Sequence, residues 1–263
     1  VMKTLSTNAL VKDAACDFAD QSTVTLAERI LQPEEFQVNL ELCKKDFHND
    51  WEAIQMGYSA FDSLPPSFAD FLIGHIAAKV AQKTEETIWT GTTATAGEFD
   101  GFATLLAADA TVIDVVGTTV TAANVIDELG KVVDAIPTAV YGKEDLYIYV
   151  SQSIARAYVR ALGGFGASGL GANGVNNAGT TWYNGGDLAF DGVKLFVCSG
   201  MADNDMVAAQ KSNLFFGTGL LSDHNEVKLI DMADLDGSQN VRVVMRFTSG
   251  VQYGIGADIV YYT

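Results

Sequence analysis

The sequence predicts an α+β fold, with few helices and many short strands in no strict β–α–β order. Three observations carry this. Residues 35–43 alternate apolar and polar with period two, a long helical pattern follows Pro65-Pro66, and the last third of the chain is strand-rich.

Residues 1–30 mix polar and apolar residues with no firm period; Ala14, Phe18 and Val24-Thr25-Leu26 suggest short elements in an arm. In the next stretch Phe36, Val38, Leu40 and Leu42 share one side, and Gln37, Asn39, Glu41 and Cys43 the other. That is the period of a half-buried strand. Lys44-Lys45-Asp46 and His48-Asn49-Asp50 read as a turn, after which Trp51 to Phe61 can return. Ser67 is a good N-cap with Asp70 three residues on, and Phe68, Phe71, Leu72, Ile76 and Val80 sit near helical spacing. The run ends near Trp89, with Gly91 as the stop. At ~1.5 Å rise per residue this is a rod of roughly 35 Å.

Residues 92–120 are rich in Thr, Ala and Gly, with a turn at Asp100-Gly101. A second helix starts near Thr121; its stripe is Val125, Ile126, Leu129, Val132, Val133 and Ile136, and Pro137 stops it. Asp145–Val150 reads as a strand. Ser151 or Ser153 then caps a third helix with Ile154, Ala157, Tyr158, Ala161 and Leu162 inward, Arg156 and Arg160 on the other face, and Gly163 at its end. A Gly- and Asn-rich loop follows. Asp191-Gly192 turns into Val193–Cys198; Met206–Ala209 and Leu214–Phe216 are short strand candidates. Residues 226–230, 240–248 and 251–262 are better ones, the last two forming a hairpin at Ser249-Gly250.

The 263 residues carry 16 Lys+Arg against 33 Asp+Glu, a net charge of −17. A protein that grips nucleic acid needs a basic stripe, yet the longest basic run is Lys44-Lys45, and Asp46 follows it. Enclosing DNA is compatible with this charge, since an acidic lining does not stick to phosphates. Charged residues are 19%, a low share that fits a surface covered by other subunits. Cys16, Cys43 and Cys198 are odd in number and form no C-x-x-C, which fits a reducing cytoplasm. No stretch approaches the ~20 apolar residues that span a membrane, and Val1-Met2-Lys3 opens no signal peptide.

No motif carries catalysis. Gly164-Phe-Gly166-Ala-Ser-Gly169 matches G-x-G-x-x-G, but a helix precedes it where a dinucleotide site needs a strand. His48, His75 and His224 are far apart and form no H-E-x-x-H. Asp231, Asp234 and Asp236-Gly237 resemble part of a calcium loop, but no register supplies the remaining ligands, so a turn is the reading. No G-x-S-x-G elbow occurs. The residues thus indicate no catalytic, cofactor or metal site.

Val125-Ile-Asp-Glu-Leu-Gly-Lys-Val-Val-Asp-Ala-Ile-Pro137, Lys143–Ser151 and Tyr158–Leu162 resemble major capsid proteins of tailed double-stranded-DNA bacteriophages. So do Cys198–Gln210, Ser212-Asn-Leu-Phe-Phe-Gly-Thr-Gly219 with Ser222-Asp223, and Asp236–Arg242; Gly219 stands where the family usually has an acid. Capsids of crAss-like and flavobacterial phages look similar. The resemblance covers about residues 60–263. It implies the Hong Kong 97-like fold, with an N-terminal arm (1–30), an extended loop (31–62), a peripheral domain with a spine helix (63–120 and 226–263) and an axial domain (121–225). It further implies pentamers and hexamers of one subunit closing an icosahedral shell around double-stranded DNA. Portal, scaffolding and decoration proteins are the implied partners, and a start at Val1 fits loss of a scaffolding segment. Encapsulin nanocompartments share this fold and are one alternative; a phage tail or other phage structural protein is a further one.

Within the extended loop, Phe36, Val38, Leu40, Leu42, Lys44, Lys45, Asp46 and Trp51 are the candidate inter-subunit contacts. A strand in the subunit's own sheet is the other reading of 35–43. The charge balance makes one prediction. The free protein will not retard double-stranded DNA in a gel at physiological salt, and tight, sequence-dependent retardation would contradict the charge argument.

Overall fold

The alternating segment is a strand, one of a series shown in this order by a computed structural model: β1 (Met2–Thr7), β2 (Val24–Arg29), β3 (Glu34–Cys43), α1 (Pro66–Thr90), α2 (Phe102–Ala107), β4 (Ile113–Val115), α3 (Val125–Asp134), β5 (Leu146–Ser151) and α4 (Gln152–Gly163). Then come β6 (Ala189–Phe190), β7 (Val193–Cys198), β8 (Met206–Gln210), β9 (Leu214–Gly217), β10 (Val227–Asp231), the single turn α5 (Ala233–Asp236), β11 (Asn240–Tyr253) and β12 (Val260–Tyr262). The structure describes residues 1–7, 16, 24–44, 66–163, 188–220, 222 and 226–263. The return of the extended loop and the Gly/Asn run at 164–187 lie outside the described residues.

The chain divides into two units, residues 1–32, 86–216 and 251–263, and residues 33–85 and 217–250. Residues 86–120 and 251–263 therefore go with 121–216, where the family-based boundaries put them with 226–250. The pairing of β12 with β4 and β8 accounts for this.

The larger unit has a mixed sheet in the order β4-β12-β8-β5-β7-β6. β5 is parallel to β7 and antiparallel to β8. Its sequence, Leu-Tyr-Ile-Tyr-Val-Ser, is apolar on both faces, as a covered central strand requires. Ile148 and Val150 face the helix layer, where α3 contributes Val125, Leu129, Val132 and Val133, and α4 contributes Ile154, Ala157 and Tyr158. Each such buried side chain is worth about 1.5–3 kcal/mol. Tyr149, on the opposite face, meets Trp89 at 5.3 Å and Phe196 at 5.8 Å between ring centroids. Gly91 stops α1 as expected: a Cβ there would lie 2.4 Å from the Phe99 carbonyl oxygen.

One position departs from the predicted helix stripe. Ile126 is 46% exposed, and Glu128 is buried. The carboxylate is tolerated because it is fully bonded. Lys131 Nζ donates to it at 2.8 and 2.9 Å, the Tyr262 hydroxyl at 2.8 Å and Thr118 Oγ1 at 2.9 Å. Burial alone raises its pKa, but Lys131, Tyr262 and Thr118 together hold it below its ordinary value. The Tyr262 hydroxyl is pushed up to about 12, by burial first and then by Glu128. Gly117 lies against the Tyr262 ring, where a Cβ would sit 1.8 Å from a ring atom, so no other residue fits.

In the smaller unit β3 and β10 flank β11, both antiparallel. Phe36, Val38, Leu40 and Leu42 stand opposite Phe247, Met245, Val243 and Val241. Opposed residues share a face, and on that face Val38 and Leu42 pack with Leu72, Ile76, Val80, Val227, Leu229 and Val243. The segment read as a loop docking only between subunits is thus, at 34–43, a strand of the subunit's own sheet. The reason is that Val241–Phe247 alternates in register with it, so one chain supplies both halves of the ladder. The hairpin expected at Ser249-Gly250 is absent as well: β11 runs through both residues, and Ser249 is buried opposite Glu34. The chain bends later, at the 3-10 turn Gly256–Asp258.

Glu128→Ala removes the carboxylate that accepts from Tyr262, Thr118 and Lys131; the Tyr262 hydroxyl keeps only the Thr118 backbone, while Lys131, about half exposed, rehydrates. The expected loss is about 2 kcal/mol, read as a lower urea midpoint with unchanged slope. An unchanged midpoint would show that the network adds nothing.

Candidate functional site

β1 and β2 form an antiparallel ribbon with Leu5 opposite Leu26, Thr7 opposite Val24 and Lys3 opposite Glu28. Alternation places these pairs on one face and Met2–Arg29, Thr4–Ala27 and Ser6–Thr25 on the other. Leu5 is 65% and Leu26 71% exposed, and Val24 is exposed beside them, as are Val1 and Ile30 at the ends of the ladder. A two-stranded ribbon is at best marginally stable in water. This one carries its exposed large apolar residues on a single open face, the chemistry of a docking surface. Sequence reading missed it because the 16 residues between the strands, 8–23, carry no hairpin signal.

The ribbon's base is fixed electrostatically. The Arg29 guanidinium pairs with the Asp109 carboxylate and lies 4.3 Å from the centroid of the Tyr253 ring. Tyr253 donates its hydroxyl to Asp109 Oδ2 at 2.7 Å, and Thr111 donates its amide and hydroxyl to Oδ1, each at 2.8 Å. The Tyr253 hydroxyl first, then Arg29, hold Asp109 well below the usual carboxylate range. Burial, then Asp109, pushes Tyr253 up to about 12. Every acceptor oxygen of Asp109 is engaged, so the cluster serves as an anchor and has no proton to trade.

The contacts proposed from sequence fall in several places. Phe36 is half-buried with its ring 5.7 Å from that of Phe247, and Leu40 is 37% exposed. Val38 and Leu42 are used inside the unit. Lys44 is not at a loop tip. It is buried, its ammonium pairs with Asp231, and its amide donates to the Gln239 carbonyl at 2.8 Å. Lys45, Asp46 and Trp51 lie outside the described residues.

Asp231 also accepts from the Ala233 amide at 3.0 Å, and Asp236 from the Ser238 amide at 2.9 Å. The acids of the supposed calcium loop thus close a turn, with Gly237 in the left-handed region at φ 72°. Among the described residues no group of three or more His, Cys, Asp and Glu is placed to hold a metal. One open cleft of about 460 Å³ is lined by Tyr141, Lys143, Glu144, Leu146, Asp191 and Lys194, and another by Glu35, Phe36, Arg246 and Phe247. Neither gathers a nucleophile with a base.

No protein-family model and no curated protein matches the chain. Solved structures do. A chain from the capsid of the native GTA particle overlays with a TM-score of 0.62 at 13% identity, covering 99% of this chain and 83% of that one. The chain has the Hong Kong 97-like capsid fold. A chain from Mycobacterium phage Adephagia shares it at TM-score 0.61 and 15% identity, covering 100% and 83%. A chain from Gordonia phage Cozz does so at 0.61 and 11%, covering 99% and 79%. At these identities the capsid fold is shared as a backbone course, and the Arg29–Asp109–Tyr253 anchor is read from this chain's own side chains.

A carboxylate with a depressed native pKa stabilises fully above its unfolded value, near 3.9, and the benefit is lost progressively as pH falls below that towards the depressed native value. The ribbon's anchoring is therefore expected to stay constant from pH 8 to 5 and to weaken below about 4. Arg29→Ala is expected to weaken it by about 2 kcal/mol at neutral pH. Hydrogen exchange at residues 2–7 checks both, and an Asp109→Asn chain that still weakens below pH 4 would assign the effect elsewhere.

Proposed function

We propose that this chain is a major capsid protein, a non-enzymatic shell subunit that self-assembles through pentamers and hexamers into an icosahedral shell around double-stranded DNA. The observation that carries the reading is the capsid fold over the whole chain. Two features support it. The ribbon exposes an apolar face that one subunit leaves uncovered. The net charge of −17 suits a wall that encloses DNA with weak, non-specific contact.

On this reading residues 1–30 are the arm. The loop at 31–62 is rooted in the subunit's own sheet by β3, and its tip, with Lys45, Asp46 and Trp51, makes the contacts between subunits. Phe36 and Leu40 are the β3 residues left to join them. The shell forms in the cytoplasm of a bacterial host and becomes the virion, with scaffolding, portal and decoration proteins as further partners. No described helix is long and apolar enough to cross a membrane.

Negative-stain microscopy and light scattering of the purified chain are expected to show closed particles. Only monomers and dimers across salt and pH would overturn the reading, and copurification of a protein cargo in place of DNA would mark an encapsulin-like shell. Removing residues 1–29 is expected to leave a folded subunit that closes no particles. Replacing 36–56 with a Gly/Ser linker is expected to lower subunit stability itself, because it removes the β3 ladder.

A further inference from the structure

The helix layer of the larger unit is electrically divided. α3 turns Asp127 and Asp134 to solvent, seven residues and thus roughly 10 Å apart along the axis. Lys131, between them, is held by Glu128 at 2.8 Å. Exposed Ile126 adds an apolar contact beside the acids. α4 contains no acid from Gln152 to Gly163, and its exposed face carries Arg156 and Arg160, one turn apart. Arg156 bonds the Gln152 side chain at 3.4 Å, and among the described residues neither arginine has an ion-pair partner. α3 packs over β8 and β12, and α4 over β5 and β7, so the acidic and basic faces lie side by side on one side of the sheet.

Helix dipoles account for half of this pattern. Asp127 in the first turn of α3 and Arg160 in the last turn of α4 each sit at the favourable end. Asp134 ends α3, where the carbonyl dipoles repel it, and Arg156, beyond the first turn of α4, gains nothing from its own helix. Asp134 is placed against its helix, and an opposite charge from outside offsets that. Two copies at −17 each also repel at long range unless their contact is locally opposite in sign. An acid-free basic face beside an acidic one supplies that match within a single sequence.

We propose that the Arg156/Arg160 face of α4 docks on the Asp127/Asp134 face of α3 in a second copy of this chain. The contact is heterologous: each copy gives its α4 to one neighbour and its α3 to another, and a closing rotation makes rings. The ring, though not the pairwise contact, rests on the shell reading above.

The test uses the full chain with two charge reversals, Arg156→Glu/Arg160→Glu and Asp127→Arg/Asp134→Arg. Each alone is expected to raise the concentration for half-association by at least about tenfold in sedimentation velocity. An equimolar mixture, in which the α4 of one reversal meets the α3 of the other at opposite sign in dimers and even-membered rings, is expected to recover association. High salt should weaken the parent and the mixture alike. Parent-like association of either reversal, a folded mixture that fails to recover, or a parent that stays monomeric overturns the proposal. Should a reversal misfold by circular dichroism, the neutral pair Arg156→Gln/Arg160→Gln replaces it, and parent-like association there is equally fatal. Arginine variants that lose only DNA retention would assign the face to phosphates and overturn the contact. Shells from the parent and both reversals would leave the shell reading standing without this contact. Recovery in the mixture without any shells would leave the contact standing without the shell.

Discussion

The larger unit depends on one requirement, that a strand apolar on both faces be covered on both. β5 satisfies it with Ile148 and Val150 against α3 and α4, and with Tyr149 against Trp89 and Phe196. Its neighbours come from distant parts of the chain, β7 and β8 on either side and β12 beyond β8. The C-terminal strand is thereby locked into the sheet. Its last tyrosine reaches the buried Glu128 and the backbone of Thr118, which explains how a helix face can bury a carboxylate there.

The larger unit leaves apolar surface open without collapsing on it. That surface is carried on a thin ribbon with no room for a core of its own, held at its base by an arginine, a carboxylate and a tyrosine. The charged anchor fixes where the ribbon begins, and the open face is left for another surface. The same separation marks the helix layer, whose inner side is a dry core and whose outer side is charged. The buried core and the exposed apolar and charged faces thus use different residues, so a change in one need not alter the other.

Local patterns in the sequence located most elements. The apolar run and the Gly91 stop located α1, which begins at Pro66, one residue before the expected cap Ser67; the stripe at 125–136 located α3, and Ser151 preceded α4. Ile126 was misplaced because the stripe counts only apolar residues, and the bonds that let Glu128 replace it come from Thr118, Lys131 and Tyr262. The Ser249-Gly250 turn was misplaced because the same dipeptide sits equally well extended once Glu34 pairs with it. Lys44 was read as a loop tip because its partner Asp231 lies 187 residues away.

The sequence alone determined an acidic α+β chain without a catalytic motif, the order of most of its helices and strands though not β1, α2 or β4, and a likeness to phage capsid subunits. Periodicity and capping are set by residues within a few positions of each other, so they are legible one segment at a time. Only the tertiary structure decided which face of each segment is used within the subunit. Pairing over long separations settled that β3 belongs to its own sheet, that Lys44 is buried, and that the arm is a ribbon with an open apolar face. A period-two pattern states that one side of a strand is to be covered, and the partner that covers it is a matter of three-dimensional register.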